Sequence, residues 1–274
     1  MTDQPILTLN DGARMPQLGL GVWQTPPDEA AQVVKTAVEA GYQSVDTASA
    51  YRNERGVGEG LAGEAGSSVF LTTKLWNENQ GYDEALKAFD ASLGRLGRET
   101  LDLYLIHWPS PQRGLYVDGW KALVKLKADG RVKSIGVSNF QPEHLEKIIG
   151  ETGVVPAVNQ VELHPRFQQT ALREVHARHG IATESWSPLG QGQLLADPQI
   201  AAVAKKHGKT AAQVVIRWHL DSGLIVIPKS VTPSRIRENI DVFDFKLDAD
   251  DLAAIAALDT PSGRIGPDPM TATF

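Results

Sequence analysis

Short apolar runs rich in branched residues recur eight times along the chain, at 17–22, 44–47, 69–74, 101–107, 134–137, 157–161, 181–186 and 224–228. Several are continuous, such as LDLYLIHW and GLIVIP, as expected for strands covered on both faces. Between them, apolar positions repeat at helical spacing over 28–40, 82–96, 117–128, 142–149, 170–178, 199–206 and 211–220. Start signals stand at Pro26, Pro27 and Asp28, at Gln141, Pro142 and Glu143, and at Thr232 and Pro233. Gly41, Gly130, Gly180 and Gly223 supply stops. Ahead of the first run, 6–9 and 15–17 flank Asn10, Asp11 and Gly12, a hairpin-type turn placed to cap a barrel floor.

Strand and helix alternating in this way predict a parallel α/β fold. A chain of 274 residues suits a (β/α)8 TIM barrel with an N-terminal β-hairpin and extra helices. One of the two helical stretches between the seventh and eighth runs lies outside the regular ring. No linker or low-complexity tract divides the chain, so residues 1–274 read as a single domain. A doubly wound open sheet has the same periodicity and is the competing fold.

Composition narrows the function classes. Thirty-three acids against 27 bases leave a net charge of −6, which argues against nucleic acid as partner. No run of apolar residues is long enough for a membrane helix. The start, MTDQPILTLNDG, carries Asp3 and no basic cluster, unlike a secretion leader. With no cysteine there is no disulfide, thiolate metal site or thiol nucleophile, which fits the cytoplasm.

Polar residues collect at the C-terminal ends of the apolar runs: Trp23, Asp46, Lys74, His107, Ser138 and Asn139, Gln160 and Glu162, Trp186, then Lys229 and Ser230. In a barrel that end carries the active site. An acid, an ammonium group and an imidazole at one mouth define a reaction centre. Tyr51, five residues beyond Asp46, is within reach of the same mouth. A phenol is a poor acid at neutral pH, so Lys74 is expected to lower its pKa, with Asp46 pairing the lysine. A shift of about three units corresponds to about 4 kcal/mol. His107 would orient a carbonyl. A surface tyrosine beside a structural Asp46–Lys74 pair is the plainer reading of the same residues.

Other motifs carry less. Gly56, Gly58 and Gly60 follow a polar run rather than a strand, so they form no dinucleotide turn and read as helix–barrel packing. Glu162 and His164 alternate at a strand end, but no metal site is expected, and His176 and His179 read as a solvated helix face. The segment 228–235, PKSVTPSR, runs from the last strand into a helix start, and its bases and hydroxyls suit a phosphate monoester.

Across nearly the whole chain these residues resemble the aldo-keto reductases, most closely the bacterial 2,5-diketogluconate reductase group. The resemblance rests on GYQSVDTASAYRNERGVG (41–58), LTTKLWN (71–77), LDLYLIHWP (101–109), SIGVSNF (134–140), AVNQVELHP (157–165), ESWSPLGQG (184–192) and IPKSVTPSRIRENIDVFDF (227–245). It implies a catalytic tetrad of Asp46, Tyr51, Lys74 and His107, and NADPH or NADP+ as cofactor. Ser138, Asn139 and Gln160 would hold the carboxamide and Trp186 would stack on the nicotinamide, with Ser187, Leu189 and Gln191 nearby. Lys229, Ser230, Val231 and Arg235 would grip the 2′-phosphate, and Glu238 and Asn239 the adenine. Trp23, Trp76 and Trp108 would wall the pocket for a small-molecule carbonyl substrate. The resemblance further implies a monomer.

Three departures stand out. Trp186 replaces a tyrosine common in the family, and Gln43 replaces an arginine. The tail after Asp259 is short and rich in Gly and Pro, so it is expected to cover the pocket loosely, with Arg264 favouring acidic substrates. A nicotinamide-binding sensor or auxiliary subunit is the alternative reading, and a metal-dependent barrel hydrolase a more remote one.

Overall fold

The structure, a computed structural model, describes residues 4–274. Asp3, used above against a leader, lies outside the described residues. Strands β1 (Ile6–Thr8) and β2 (Arg14–Pro16) pair antiparallel through a turn in which Gly12 adopts φ +87°. Eight parallel strands follow: β3 (Leu20–Gly21), β4 (Ser44–Asp46), β5 (Phe70–Leu75) and β6 (Leu101–Ile106), then β7 (Val132–Ser138), β8 (Val158–Glu162), β9 (Ala182–Trp186) and β10 (Ile225–Val226). Each bonds to the next in chain order.

The two outer strands meet. Leu18 bridges Val226 and Gly21 bridges Lys229, both parallel, and the amides of Gly19 and Gly21 donate to Val226 O (2.9 Å) and Pro228 O (3.1 Å). A Cβ on Gly21 would lie 2.8 Å from Ile227 O, so the seam needs a glycine there. The sheet is therefore a closed barrel, and the open doubly wound alternative is excluded.

The helices are α1 (Ala30–Ala40), α2 (Glu54–Gly60), α3 (Glu64–Ser67), α4 (Tyr82–Leu96), α5 (Tyr116–Ala128) and α6 (Pro142–Thr152). After them come α7 (Thr170–His179), α8 (Pro198–His207), α9 (Ala211–Asp221), α10 (Pro233–Ile240) and α11 (Ala249–Ala256). Helical spacing is visible in what each buries: Ala85, Phe89, Leu93 and Leu96 on α4, Val33, Val34 and Ala37 on α1. Of the two helices between β9 and β10, α9 is buried along most of its length and packs on β10, while α8 sits outside it against α11. Helix α8 is thus the one outside the ring.

Two apolar cores result. The larger fills the space between strands and helices. The smaller joins Leu9 and Met15 of the hairpin region to Phe70, Leu103, Leu105, Val158 and Ile225 of the barrel. The hairpin therefore plugs the barrel floor.

Two readings of the chain change. The glycines at 56, 58 and 60 pack helix on helix rather than helix on barrel: a Cβ on Gly56 would meet Pro27 O at 2.8 Å, and one on Gly58 would meet Leu96 O at 2.4 Å. His176 is not solvated. It is buried, with its ring nitrogens 2.9 Å from Asn159 Nδ2 and 2.8 Å from Thr183 Oγ1, tying α7 to β8 and β9.

Glycines in two helices should respond oppositely to alanine. Gly94 on α4 is exposed, and among the described residues nothing beyond its own helix backbone and chain neighbours lies within 4 Å of a new Cβ. Gly94→Ala should stabilise by about 0.5–1 kcal/mol. Gly58→Ala, driven into the Leu96 backbone, should destabilise by about 1–3 kcal/mol despite alanine's higher helix propensity. Urea unfolding of both variants checks the signs.

Candidate active site

Alternation along the strands turns Asp46, Gln160 and Glu184 to the same inner face as Ser138 and Trp186. Lys74 is fully buried, with Nζ 2.5 Å from Asp46 Oδ1 and donating to Thr47 O at 3.0 Å. Burial disfavours its ammonium, but the anionic surroundings, Asp46 first and then Tyr51 and Glu184, together hold Lys74 above the ordinary lysine range.

The loop after β4 is pinned from both sides. Ser49 Oγ donates to Lys74 O (2.9 Å), Thr47 Oγ1 to Asn53 Oδ1 (2.8 Å), and Asn53 Nδ2 to Val22 O (2.9 Å). A single 3₁₀ turn, Ser49–Tyr51, then delivers the phenol to the mouth. The Tyr51 ring centroid lies 5.2 Å from Lys74 Nζ and 5.5 Å from the His107 ring, edge-on. Trp76 closes the other side of His107 at 5.2 Å.

The expected acidification of Tyr51 is not what the structure shows. Burial raises its pKa above the ordinary phenol value; Lys74 opposes that rise, and Asp46 and Glu184 add to it. Desolvation wins because the lysine's charge is already shared with Asp46. His107 is held well below the usual imidazole range by burial and by Lys74, so it is neutral at pH 7.

Asn139, at φ +64°, ties three strands together. Its Nδ2 donates to His107 O (3.0 Å) and Ser138 Oγ (3.1 Å), and its Oδ1 accepts from Trp186 Nε1 (2.8 Å). Asparagine tolerates this left-handed conformation better than most side chains. Ser138 Oγ donates to Gln160 O (2.8 Å). Gln160 Nε2 donates to Asp46 Oδ2 (2.9 Å) and to Glu184 Oε2 (2.8 Å). Glu184 was not expected at the site. Its signal was an acid two residues before the inward-facing Trp186.

A cavity of about 1010 Å³ opens over this network. Its walls include Asp46, Tyr51, His107, Ser138, Asn139 and Gln160, the aromatic rings of Trp23, Trp76, Trp108 and Trp186, and then Ser187, Gln191 and Lys229. Lys74 lies beneath the wall. Leu189, Ser230, Val231, Arg235, Glu238 and Asn239 lie outside the lining. Ser230 Oγ accepts from Thr232 N (3.1 Å) in the turn before α10, and Arg235 is exposed on that helix. Glu238 accepts from Thr210 at the start of α9 (2.7 Å), and Asn239 is buried.

The tail does not cover the pocket loosely. Glu162 accepts from the amides of Ile265 (2.5 Å) and Gly266 (2.8 Å) and pairs with His164 Nε2 at 3.1 Å, so both of its oxygens are engaged. Beyond this latch, Phe274 stacks on Trp76 (5.9 Å, 6°) and meets Trp108 edge-on at 5.0 Å. Arg264 lies over the Phe167 ring at 4.7 Å and is absent from the cavity wall, where Arg52 and Arg95 stand instead.

A closed barrel with a buried Lys–Asp pair, a phenol and a neutral imidazole at the mouth has the layout of a barrel enzyme with a deep binding cleft. The chain belongs to the Aldo/keto reductase family, whose model matches residues 15–260. It is 59% identical over 272 residues to an aldo-keto reductase of Mycobacterium sp. (strain KMS), covering 98% of each chain. It is 52% identical over 273 residues to methylglyoxal reductase DkgA of Escherichia coli (strain K12), again covering 98% of each. Among solved structures, a mutant of Gox0644 in complex with NADPH superposes with a TM-score of 0.97 at 62% identity, covering 99% of this chain and 100% of that one.

Removing one partner of the buried pair leaves an uncompensated charge. Lys74→Met should cost about 3–5 kcal/mol of stability at pH 7. The loss should shrink as pH falls and Asp46 takes up a proton, which urea titrations at several pH values would show.

Proposed function

We propose that this chain is an NADPH-dependent carbonyl reductase. Its substrates would be aldehydes, α-dicarbonyls such as methylglyoxal, and keto-sugar acids such as 2,5-diketogluconate, with Tyr51 as proton donor. The observation that carries this reading is the convergence of Tyr51, His107 and Asp46 on one cavity wall, with Lys74 paired to Asp46 beneath it. The names of the related proteins, a methylglyoxal reductase and an NADPH complex, point the same way. Residues 1–274 would act as one domain.

The residues present fit a nicotinamide dinucleotide. The cleft has the volume, Trp186 offers an aromatic face, Ser138 and Gln160 offer amide-matching polar groups, and Lys229 brings a positive charge to the same cavity. Ser230 and Arg235 would extend that charge toward a phosphate at the start of α10. When bound, the dinucleotide supplies the hydride.

The protein's part is proton delivery and positioning. The Tyr51 hydroxyl would donate to the carbonyl oxygen as charge develops there. An alkoxide is far more basic than a phenolate, so a phenol of raised pKa still donates downhill. The Lys74 ammonium would stabilise the phenolate left behind, and Asp46 holds that ammonium in place. His107, being neutral, would hydrogen-bond the same oxygen and fix its approach. Trp23, Trp76 and Trp108, with Phe274, would form the apolar wall on the substrate side.

Tyr51→Phe should keep NADPH affinity near wild type while kcat with methylglyoxal falls about 10²–10⁴-fold. Loss of NADPH absorbance follows the turnover, and a comparable rate in the variant would remove Tyr51 from the role. Lys229→Ala combined with Arg235→Ala should weaken NADPH binding about tenfold or more while sparing NADH. Equal loss for both, read by tryptophan quenching, would place the phosphate elsewhere.

A further inference from the structure

We propose that Glu184 is a positioning residue of the reaction centre, acting through Gln160 on the Asp46–Lys74 pair. This rests on the tetrad reading above. Glu184 has no solvent exposure and stands on the inner face of β9. Both protons of one amide nitrogen, Gln160 Nε2, are committed: one to Asp46 Oδ2 and one to Glu184 Oε2. The amide plane is thereby fixed, and only its carbonyl oxygen remains for any other partner.

Two carboxyl groups thus share one amide and one ammonium in the barrel interior. Two negative charges against a single buried positive charge is a costly arrangement, so one carboxyl keeps its proton. Asp46 touches Lys74 directly and keeps the charge. Glu184 has only the amide; its Oε1 has no hydrogen-bond partner among the described residues, which a charged oxygen would tolerate least. Burial, and then the charge on Asp46, push Glu184 up to about 8, against the smaller pull of Gln160 and Lys74. The groups facing it are Asp46 from β4, Tyr51 from the turn beyond, Lys74 from β5 and Gln160 from β8. On its other side β10 sets Ile225 in register, which does not titrate.

Neutral Glu184 leaves the Lys74 ammonium to Asp46 and Tyr51. Ionised Glu184 adds a second negative charge beside that ammonium and makes a phenolate at Tyr51 harder to form. Carbonyl reduction therefore weakens as pH rises through the titration of Glu184.

The test is the pH profile of kcat/KM for methylglyoxal with NADPH, in wild type and Glu184→Gln. The replacement keeps an oxygen that accepts from Gln160 but cannot ionise. The alkaline limb should move upward by about one pH unit or more in the variant. A limb at the same pH in both proteins, or in neither, overturns the proposal. Melting curves supply a readout that needs no turnover. The folded state holds a proton on Glu184 that the unfolded chain releases above the ordinary carboxylate range. Its contribution to stability is therefore present at low pH and lost as pH rises toward about 8. Between pH 5 and 9 the Tm of Glu184→Gln should fall less than that of wild type; parallel curves count against the proposal. Tyr51→Phe separates the two readings. If it stays active the tetrad reading fails, whereas an inactive Tyr51→Phe beside an unshifted Glu184→Gln removes only the role of Glu184.

Discussion

One positive charge buried inside the barrel organises the site. An ammonium with no access to water is stable only if the protein replaces its hydration with an anion and oriented dipoles. Asp46 and the Thr47 carbonyl do so for Lys74, and both come from the same strand end. The carbonyl of Lys74 in turn accepts from Ser49, which sets the turn that carries Tyr51. The phenol, the imidazole and the amides of the wall are arranged around a charge that none of them could hold alone.

Dryness has two opposite effects here. It raises the pKa of Tyr51 and lowers that of His107, so each keeps its neutral form. A neutral phenol retains a proton to give, and a neutral imidazole can direct a carbonyl without competing for charge. Desolvation therefore sets the protonation states, while in the proposed reaction the Lys74 charge would act on whatever anion forms. The latched tail extends the same dryness outward, since Phe274 against Trp76 and Trp108 narrows the exit to solvent.

Most of the architecture was legible because strands buried on both faces write uninterrupted apolar runs, and all eight barrel strands fall on the runs read from the chain. The hairpin was legible from Asn10, Asp11 and Gly12. Helix α2 was not, since three glycines in seven residues suppress helix propensity, and only the backbones of its neighbours explain them. At the site, strand-end position marked Asp46, Lys74 and His107. What stayed hidden depends on distances across the barrel. The balance at Tyr51, the capture of Ile265 and Gly266 by Glu162, and the sharing of Gln160 by Asp46 and Glu184 all join residues far apart in sequence.

The seam between the first and last strands also has a consequence for how the chain is made. Until residues 225–229 have left the ribosome, β3 and β9 are both open sheet edges, each able to pair with another chain. Synthesis runs at about 5–20 residues per second, so the β3 edge stays unpaired for about ten seconds or more after it emerges, and the β9 edge for a few seconds. Lys229, which completes one wall of the cavity, belongs to the segment that ends this exposure. A nascent chain therefore closes its barrel and loses these open edges in one event, and the cleft is completed only when the tail through Phe274 follows.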